Sequence, residues 1–231
     1  MKWKTNKQNF INFIINNNVI GFPERPIKLK SGRDSAFYVN WRTVAEDVYL
    51  LDQLTDYLIS YINHLKLKPD CFYGVPEGAS KLAIITQFKW ARSQNNYKPG
   101  VFSLSMGRGK PKDHGDPKDR FFLGFPKGHV ILVEDVSTTG QSLIKSVEKL
   151  KSLDINIISV IGLTNREEIS EDGSYFEDIL SNMGLNYHAM SNVPDILPYI
   201  SLNSKTARQI ENYYKKYGIR EIKLDKSLDR D

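Results

Sequence analysis

Glu134 and Asp135 stand side by side at the end of an apolar run, 130–133, and a hydroxyl-rich stretch follows at once: Val136, Ser137, Thr138, Thr139, Gly140, Gln141 and Ser142. The two halves suit different partners. A tight loop opening a helix presents unpaired backbone N–H groups and the positive end of the helix dipole, which favours a phosphate. Carboxylates two to three residues earlier would repel that phosphate, but they accept hydrogen bonds from sugar hydroxyls. The ligand implied is a phosphorylated sugar. An ordinary helix cap by Ser137 or Thr138 explains the hydroxyls and leaves the tandem acids unexplained. Neither G-x-x-x-x-G-K-[ST] nor G-x-G-x-x-G occurs, so a Walker A loop and a dinucleotide fingerprint are excluded.

A second group with chemical potential is RGKPKDHG, 108–115, where Arg108, Lys110, Lys112 and His114 alternate with turn-forming residues. It lies in a stretch of about twenty residues without strand or helix pattern, a length that marks either a functional lid or a solvated charged loop. Cations on such a lid suit a departing pyrophosphate, whose charge they would stabilise electrostatically.

The elements that must position these residues alternate along the chain. Strand-like runs at 71–74, 101–104, 130–134 and 157–163 are separated by helical patterns at 44–65, 79–91 and 141–153, the last with Leu143, Ile144, Val147 and Leu150 on its apolar face. This order predicts an α/β fold with a mainly parallel sheet flanked by helices. Ligands in such sheets bind beyond the carboxyl ends of the strands, which points to the loops 74–80, 105–124 and 134–140. Ahead of the sheet the pattern predicts a helix over 7–17 and a hairpin through 27–30 and 36–40. Behind it come a strand at 187–190, helices at 194–202 and 204–217, and a polar tail. The reading is one structural domain in three parts: an N-terminal helix and hood, 1–43; a core, 44–192; and a C-terminal helical appendage, 193–231.

Composition narrows the classes. The 231 residues are 40% hydrophobic and 26% charged, as expected of a soluble globular protein. No run of eighteen apolar residues suggests a membrane span, and the asparagine-broken stretch after the basic N-terminus does not read as a secretion signal. A cytoplasmic location is the default expectation. The single cysteine, Cys71, falls in a strand as a small buried hydrophobe and has no metal-ligand spacing around it. A net charge of +5 fits nucleic acid or a multiply phosphorylated substrate. The lysines are dispersed without interleaved aromatics, which argues against nucleic acid.

HVILVEDVSTTGQS, 129–142, closely resembles the phosphoribosyl pyrophosphate signature of type I phosphoribosyltransferases, in which a hydrophobic strand precedes an acid pair and a T-T-G or T-A-G loop. The lid resembles the R-K-x-x-K-D-H-G catalytic loop of the orotate phosphoribosyltransferase family through Arg108, Lys112, Asp113, His114 and Gly115; Gly109 stands where that family commonly has a second lysine. LKSGRDSAFYVNWR, 29–42, is similar to the family's K-S-G-R-x-S-x-x-Y segment through Lys30, Ser31, Gly32, Arg33, Ser35 and Tyr38. TNREE, 164–168, is similar to its D-R-x-E motif, with Arg166 matching and Asn165 replacing the usual aspartate. GVPEGAS, 74–80, has the place of its pyrophosphate-side loop, with Glu77 and Gly78 where many relatives have an aromatic residue and Lys or Thr.

The resemblance implies a type I phosphoribosyltransferase fold with an N-terminal hood and the transfer of ribose 5-phosphate from phosphoribosyl pyrophosphate to orotate. It implies that Glu134 and Asp135 bind the ribose hydroxyls, that the loop of Thr138, Thr139, Gly140, Gln141 and Ser142 holds the 5-phosphate, and that Val136 and Ser137 also belong to the cosubstrate site. Lys30 would reach the cosubstrate, and Arg108, Lys112, Asp113 and His114 would act from the catalytic lid. Tyr38, Thr138 and Arg166 would face orotate, whose carboxylate suits a guanidinium fork. Mg²⁺ is expected to ride on the cosubstrate without protein ligands of its own. A homodimer sharing the lid across its interface, with no nucleic-acid or membrane partner, completes the expectation. Two alternatives stay open: a type I enzyme acting on another base, and a non-catalytic regulator that senses phosphoribosyl pyrophosphate.

Overall fold

The computed structural model describes residues 3–29, 31–114 and 117–224. The segments Val130–Ser137 and Ile157–Asn165 are buried on both faces almost throughout, which is what the centre of a covered parallel sheet demands. They pair in parallel and are flanked by Tyr187–Asn192 and Cys71–Gly74, giving a four-stranded sheet in the order Tyr187–Asn192, Ile157–Asn165, Val130–Ser137, Cys71–Gly74.

Side chains alternate across this sheet into two cores. Val130 and Leu132 join Leu143, Val147 and Leu150 of helix Gln141–Lys151 and Phe176 and Leu180 of helix Phe176–Asn182. Ile131 and Val133 join the opposite core with Phe10 and Ile14 of Trp3–Asn16, Leu54 and Leu58 of Val48–His64, Leu82 of Ser80–Arg92, and Ile210 and Tyr214 of Ser204–Tyr217. The residues of 193–224 therefore bury Val193, Ile196, Leu197, Ile210, Tyr213 and Tyr214 in the same core as Trp3, Phe10 and Trp41.

Several sequence expectations are corrected. No strand forms at 101–104. The carboxamide of Gln87 takes the open edge of Cys71–Gly74 instead: its Oε1 accepts from Phe72 N–H at 3.0 Å, and its Nε2 donates to the carbonyls of Asp70 at 3.0 Å and Ser103 at 2.7 Å. The expected helix over 44–65 is two helices, Arg42–Glu46 and Val48–His64, because Asp47 is extended and caps the second by accepting from Leu50 N–H. In the hood, Ile27–Lys28 pairs with Asp34–Ser35, while Tyr38–Val39 pairs with Ile20–Gly21, so 36–40 is not the partner of 27–30. The patternless lid has a short antiparallel root, Met106–Gly107 with Phe122–Leu123, and a turn of helix at Pro117–Phe121. The appendage expected at 194–202 is helix Val193–Ile196 followed by the 3-10 turn Leu197–Tyr199, and helix Phe176–Asn182 has no counterpart in the sequence reading.

Candidate functional site

Strand Val130–Ser137 ends in register with Ile157–Asn165, Ser137 opposite Asn165, and Arg166 N–H extends the ladder by donating to the Ser137 carbonyl at 2.9 Å. The chain thus delivers Arg166 beside the loop that follows Ser137, at the carboxyl end of the sheet where such folds bind ligands. Gly140 turns the loop into helix Gln141–Lys151 with φ 70°, a conformation that disfavours other residues, and a Cβ there would collide with the Phe176 side chain. Gly140 offers no capping oxygen, so the first-turn N–H groups lack a side-chain cap, the arrangement by which helix starts bind anions.

Around this loop lies a cavity of about 240 Å³. Its wall includes every residue from Glu134 through Ser142, together with Tyr38 and Arg166, so the expected sugar-phosphate and acceptor residues share one space. Ser31, Asn40 and Arg42 line it as well, and the last two went unnoticed in the sequence. The signal was the tryptophan between them. Trp41 is buried, donates to Thr164 Oγ1 at 3.0 Å and stacks on Phe10, and so pins its two polar neighbours at the cavity rim.

Ser137 differs from its neighbours. Its hydroxyl accepts from Tyr187 at 2.9 Å and is buried, so the loop's available hydroxyls are those of Thr138, Thr139 and Ser142. Burial pushes the Tyr187 phenol well above its ordinary pKa and keeps it a donor. Gly162 makes the room, since a Cβ there would strike the Tyr187 hydroxyl.

Arg166 is 2% exposed yet borders the cavity. Its Nε donates to Glu168 Oε1 at 2.6 Å, and its Nη2 to Ser35 Oγ at 3.0 Å and Tyr213 Oη at 3.4 Å. Its guanidinium lies 4.0 Å over the Phe37 ring. Glu168 also accepts from Arg33 Nη1 at 3.2 Å, and Arg33 Nη2 donates to the Ile169 carbonyl at 2.7 Å. The buried cluster therefore carries two guanidinium groups against one carboxylate, and a net positive charge held out of water favours an anion. Burial alone would lower the Arg166 pKa; Glu168 and the two neighbouring tyrosines outweigh it and raise it.

The remaining expected residues lie elsewhere. Lys30 and Gly115 are outside the described residues. Lys112, Asp113 and His114 are exposed on the lid, Arg108 is half-buried at its root, and none of the four lines the cavity. The root is held by Arg108 N–H to the Phe121 carbonyl at 2.9 Å and Arg108 Nε to the Asp119 carbonyl at 3.0 Å. The departures noted in the sequence meet in space: a Cβ on Gly109 would strike the Glu77 carboxylate, and one on Gly78 would strike that of Asp135. Asn165 is likewise accounted for. Its Nδ2 donates to Tyr175 Oη at 2.7 Å and Glu177 Oε1 at 2.8 Å, while its Oδ1 accepts from Glu167 N–H at 2.8 Å. Among the described residues no group of three or more His, Cys, Asp or Glu is arranged to hold a metal ion, and no helix is long and apolar enough to cross a membrane.

No protein-family model matches the chain. It is 35% identical over 157 residues to an orotate phosphoribosyltransferase of Rhodopseudomonas palustris, covering 64% of this chain and 77% of that one. An orotate phosphoribosyltransferase of Methylococcus capsulatus is 28% identical over 222 residues, 93% of this chain and 99% of the relative. The crystal structure of the Francisella tularensis orotate phosphoribosyltransferase superposes with a TM-score of 0.68 at 25% identity, covering 91% of this chain and 99% of that one.

Proposed function

The chain belongs to the orotate phosphoribosyltransferase family, and on that footing we propose that it transfers ribose 5-phosphate from phosphoribosyl pyrophosphate to N1 of orotate, giving orotidine 5′-monophosphate and pyrophosphate. The observation that carries this reading is the placement of Arg166: a buried cation borders the same cavity as the acid pair and the phosphate loop. A purine acceptor has no carboxylate to use it.

In this reading the Gln141–Leu143 turn and the hydroxyls of Thr138, Thr139 and Ser142 take the 5-phosphate, and Glu134 and Asp135 accept from the ribose hydroxyls. Arg166 presents its Nη1 edge to the orotate carboxylate, since Nε and Nη2 are engaged by Glu168, Ser35 and Tyr213. Tyr38 and Ser31 close the hood side, where Ser31 Oγ has no hydrogen-bond partner among the described residues. Holding acceptor and donor in one cavity supplies proximity. The bond from C1′ to the pyrophosphate oxygen breaks, its electron pair leaves with pyrophosphate, and N1 of orotate bonds to C1′ with loss of its proton.

Arg108, Lys112 and His114 neutralise the leaving group from the lid. Because they stand outside the cavity of their own chain, the reading includes a homodimer in which the lid reaches the neighbouring site. A Mg²⁺ carried in on the cosubstrate would neutralise charge on the leaving group, and the carboxylates of Glu134 and Asp135 at the cavity wall keep their role toward the ribose hydroxyls. Offering orotate, uracil, hypoxanthine and adenine in parallel with phosphoribosyl pyrophosphate tests the reading. Product from orotate alone is expected, and no orotate turnover would overturn it.

A further inference from the structure

Helix Ser204–Tyr217 lies behind the cavity and contributes nothing to its wall, yet two of its consecutive residues converge on Arg166. Tyr213 Oη donates to Glu168 Oε2 at 2.8 Å and accepts from Arg166 Nη2 at 3.4 Å. Tyr214 Oη donates to the Arg166 carbonyl at 2.9 Å. One hydroxyl thus orients the guanidinium and the other the backbone that carries it.

The rings repeat the pattern. Phe37, over which the Arg166 guanidinium lies, is stacked by Tyr214 with ring centres 5.8 Å apart and met edge-on by Tyr213 at 5.6 Å. Both tyrosines are buried, and burial, aided by Glu168, pushes their phenols above the ordinary range, so both remain proton donors at any physiological pH. The helix end is itself clamped to the Arg166 segment: Ile169 N–H donates to the Tyr217 carbonyl and Ile219 N–H to the Glu167 carbonyl, each at 2.9 Å. A helix end bridged to the Arg166 segment at Gly218 restrains where the guanidinium sits, which matters when a single nitrogen, Nη1, is left to meet the acceptor.

We propose that Tyr213 and Tyr214 are positioning residues that set Arg166 for the carboxylate of the acceptor. The proposal rests on the reading of Arg166 given above. It assigns to the C-terminal helix a role in acceptor selection, where packing alone would make it a cover for the core.

The test uses the full chain and measures orotate binding by calorimetry, the KM for orotate and for phosphoribosyl pyrophosphate, and thermal melting. Tyr213→Phe keeps the ring and removes the hydroxyl. It is expected to weaken orotate binding and raise its KM about tenfold, with the cosubstrate KM within about twofold of the parent value. Lys205→Ala, exposed on the same helix, is the control and should change neither. If Tyr213→Phe melts below the assay temperature, Tyr214→Phe, which loses one bond to the Arg166 backbone, carries the same expectation. Equal changes in both KM values, or a lowered melting point with unchanged orotate affinity, would overturn the proposal while leaving the orotate reading intact. A parent chain that binds no orotate would overturn both.

Discussion

The two sides of the cavity are built on different principles. The sugar-phosphate side proposed for the cosubstrate, Glu134 through Ser142, is contiguous: one strand end, one loop and one helix start supply it from neighbouring residues. The side proposed for the acceptor is assembled from distant pieces, with Ser35 and Phe37 from the hood, Arg166 and Glu168 from just past the carboxyl end of an inner strand, and Tyr213 and Tyr214 from the last helix. A contiguous site tolerates change elsewhere in the fold, whereas an assembled one fails when any contributor shifts. Cosubstrate binding should therefore be robust, and acceptor binding should be sensitive to substitutions far from the cavity.

The largest effect lies outside both sides, on the lid. Lys112→Ala should lower turnover about 10²–10³-fold with the fold intact, as loss of a positioned charge typically does. Single-turnover kinetics with a circular dichroism control would measure it. A sensor without catalytic function would show no such collapse in ligand response. The next effect probes the contiguous side. Gly140→Ala places a Cβ at positive φ and against Phe176, costing about 1–3 kcal/mol from the backbone alone and weakening cosubstrate more than orotate. Denaturant unfolding and titration of both ligands would show this.

Asn165→Asp is a smaller change beneath the acceptor side and has a pH signature. Glu177 already has a raised pKa through burial, together with the charges of Glu167 and Asp178, so its contribution to stability is present at low pH and fades as pH rises through the shifted value. A second carboxylate 2.8 Å away would leave two acids sharing one proton, steepening that fall by about 1–3 kcal/mol. Urea midpoints at pH 5 and pH 8 should diverge more in the variant than in the parent. The smallest effect is expected from Gly109→Lys. The new side chain must displace the Glu77 carboxylate but gains an exposed ion pair with it, worth about 0–1 kcal/mol, so melting should shift by only a degree or two.

The same contrast explains what could be read from the sequence. The apolar run into Glu134 and Asp135 announces a buried strand, and the hydroxyl and glycine loop announces a helix start, because both signals are local. Element boundaries were lost where a side chain replaced backbone pairing, as Gln87 does at the edge of Cys71–Gly74, or where one cap split a continuous apolar pattern, as Asp47 does. Arg166 was legible through its resemblance to a motif, but its surroundings were not. Nothing in the spacing of Ser35, Phe37, Glu168, Tyr213 and Tyr214 brings them together; only the closing of the last helix over the core does. Arg42 was hidden for the same reason, since its position depends on where Trp41 is buried.

The central claim is that one cavity holds two ligands through separable groups, with Arg166 serving the acceptor. Titrating orotate and phosphoribosyl pyrophosphate separately into the parent chain and into Arg166→Gln, with melting curves to establish that both are folded, tests it most directly. The account predicts loss of orotate binding with cosubstrate affinity retained. Orotate bound equally well by both proteins, or both ligands lost together from a folded variant, would contradict it.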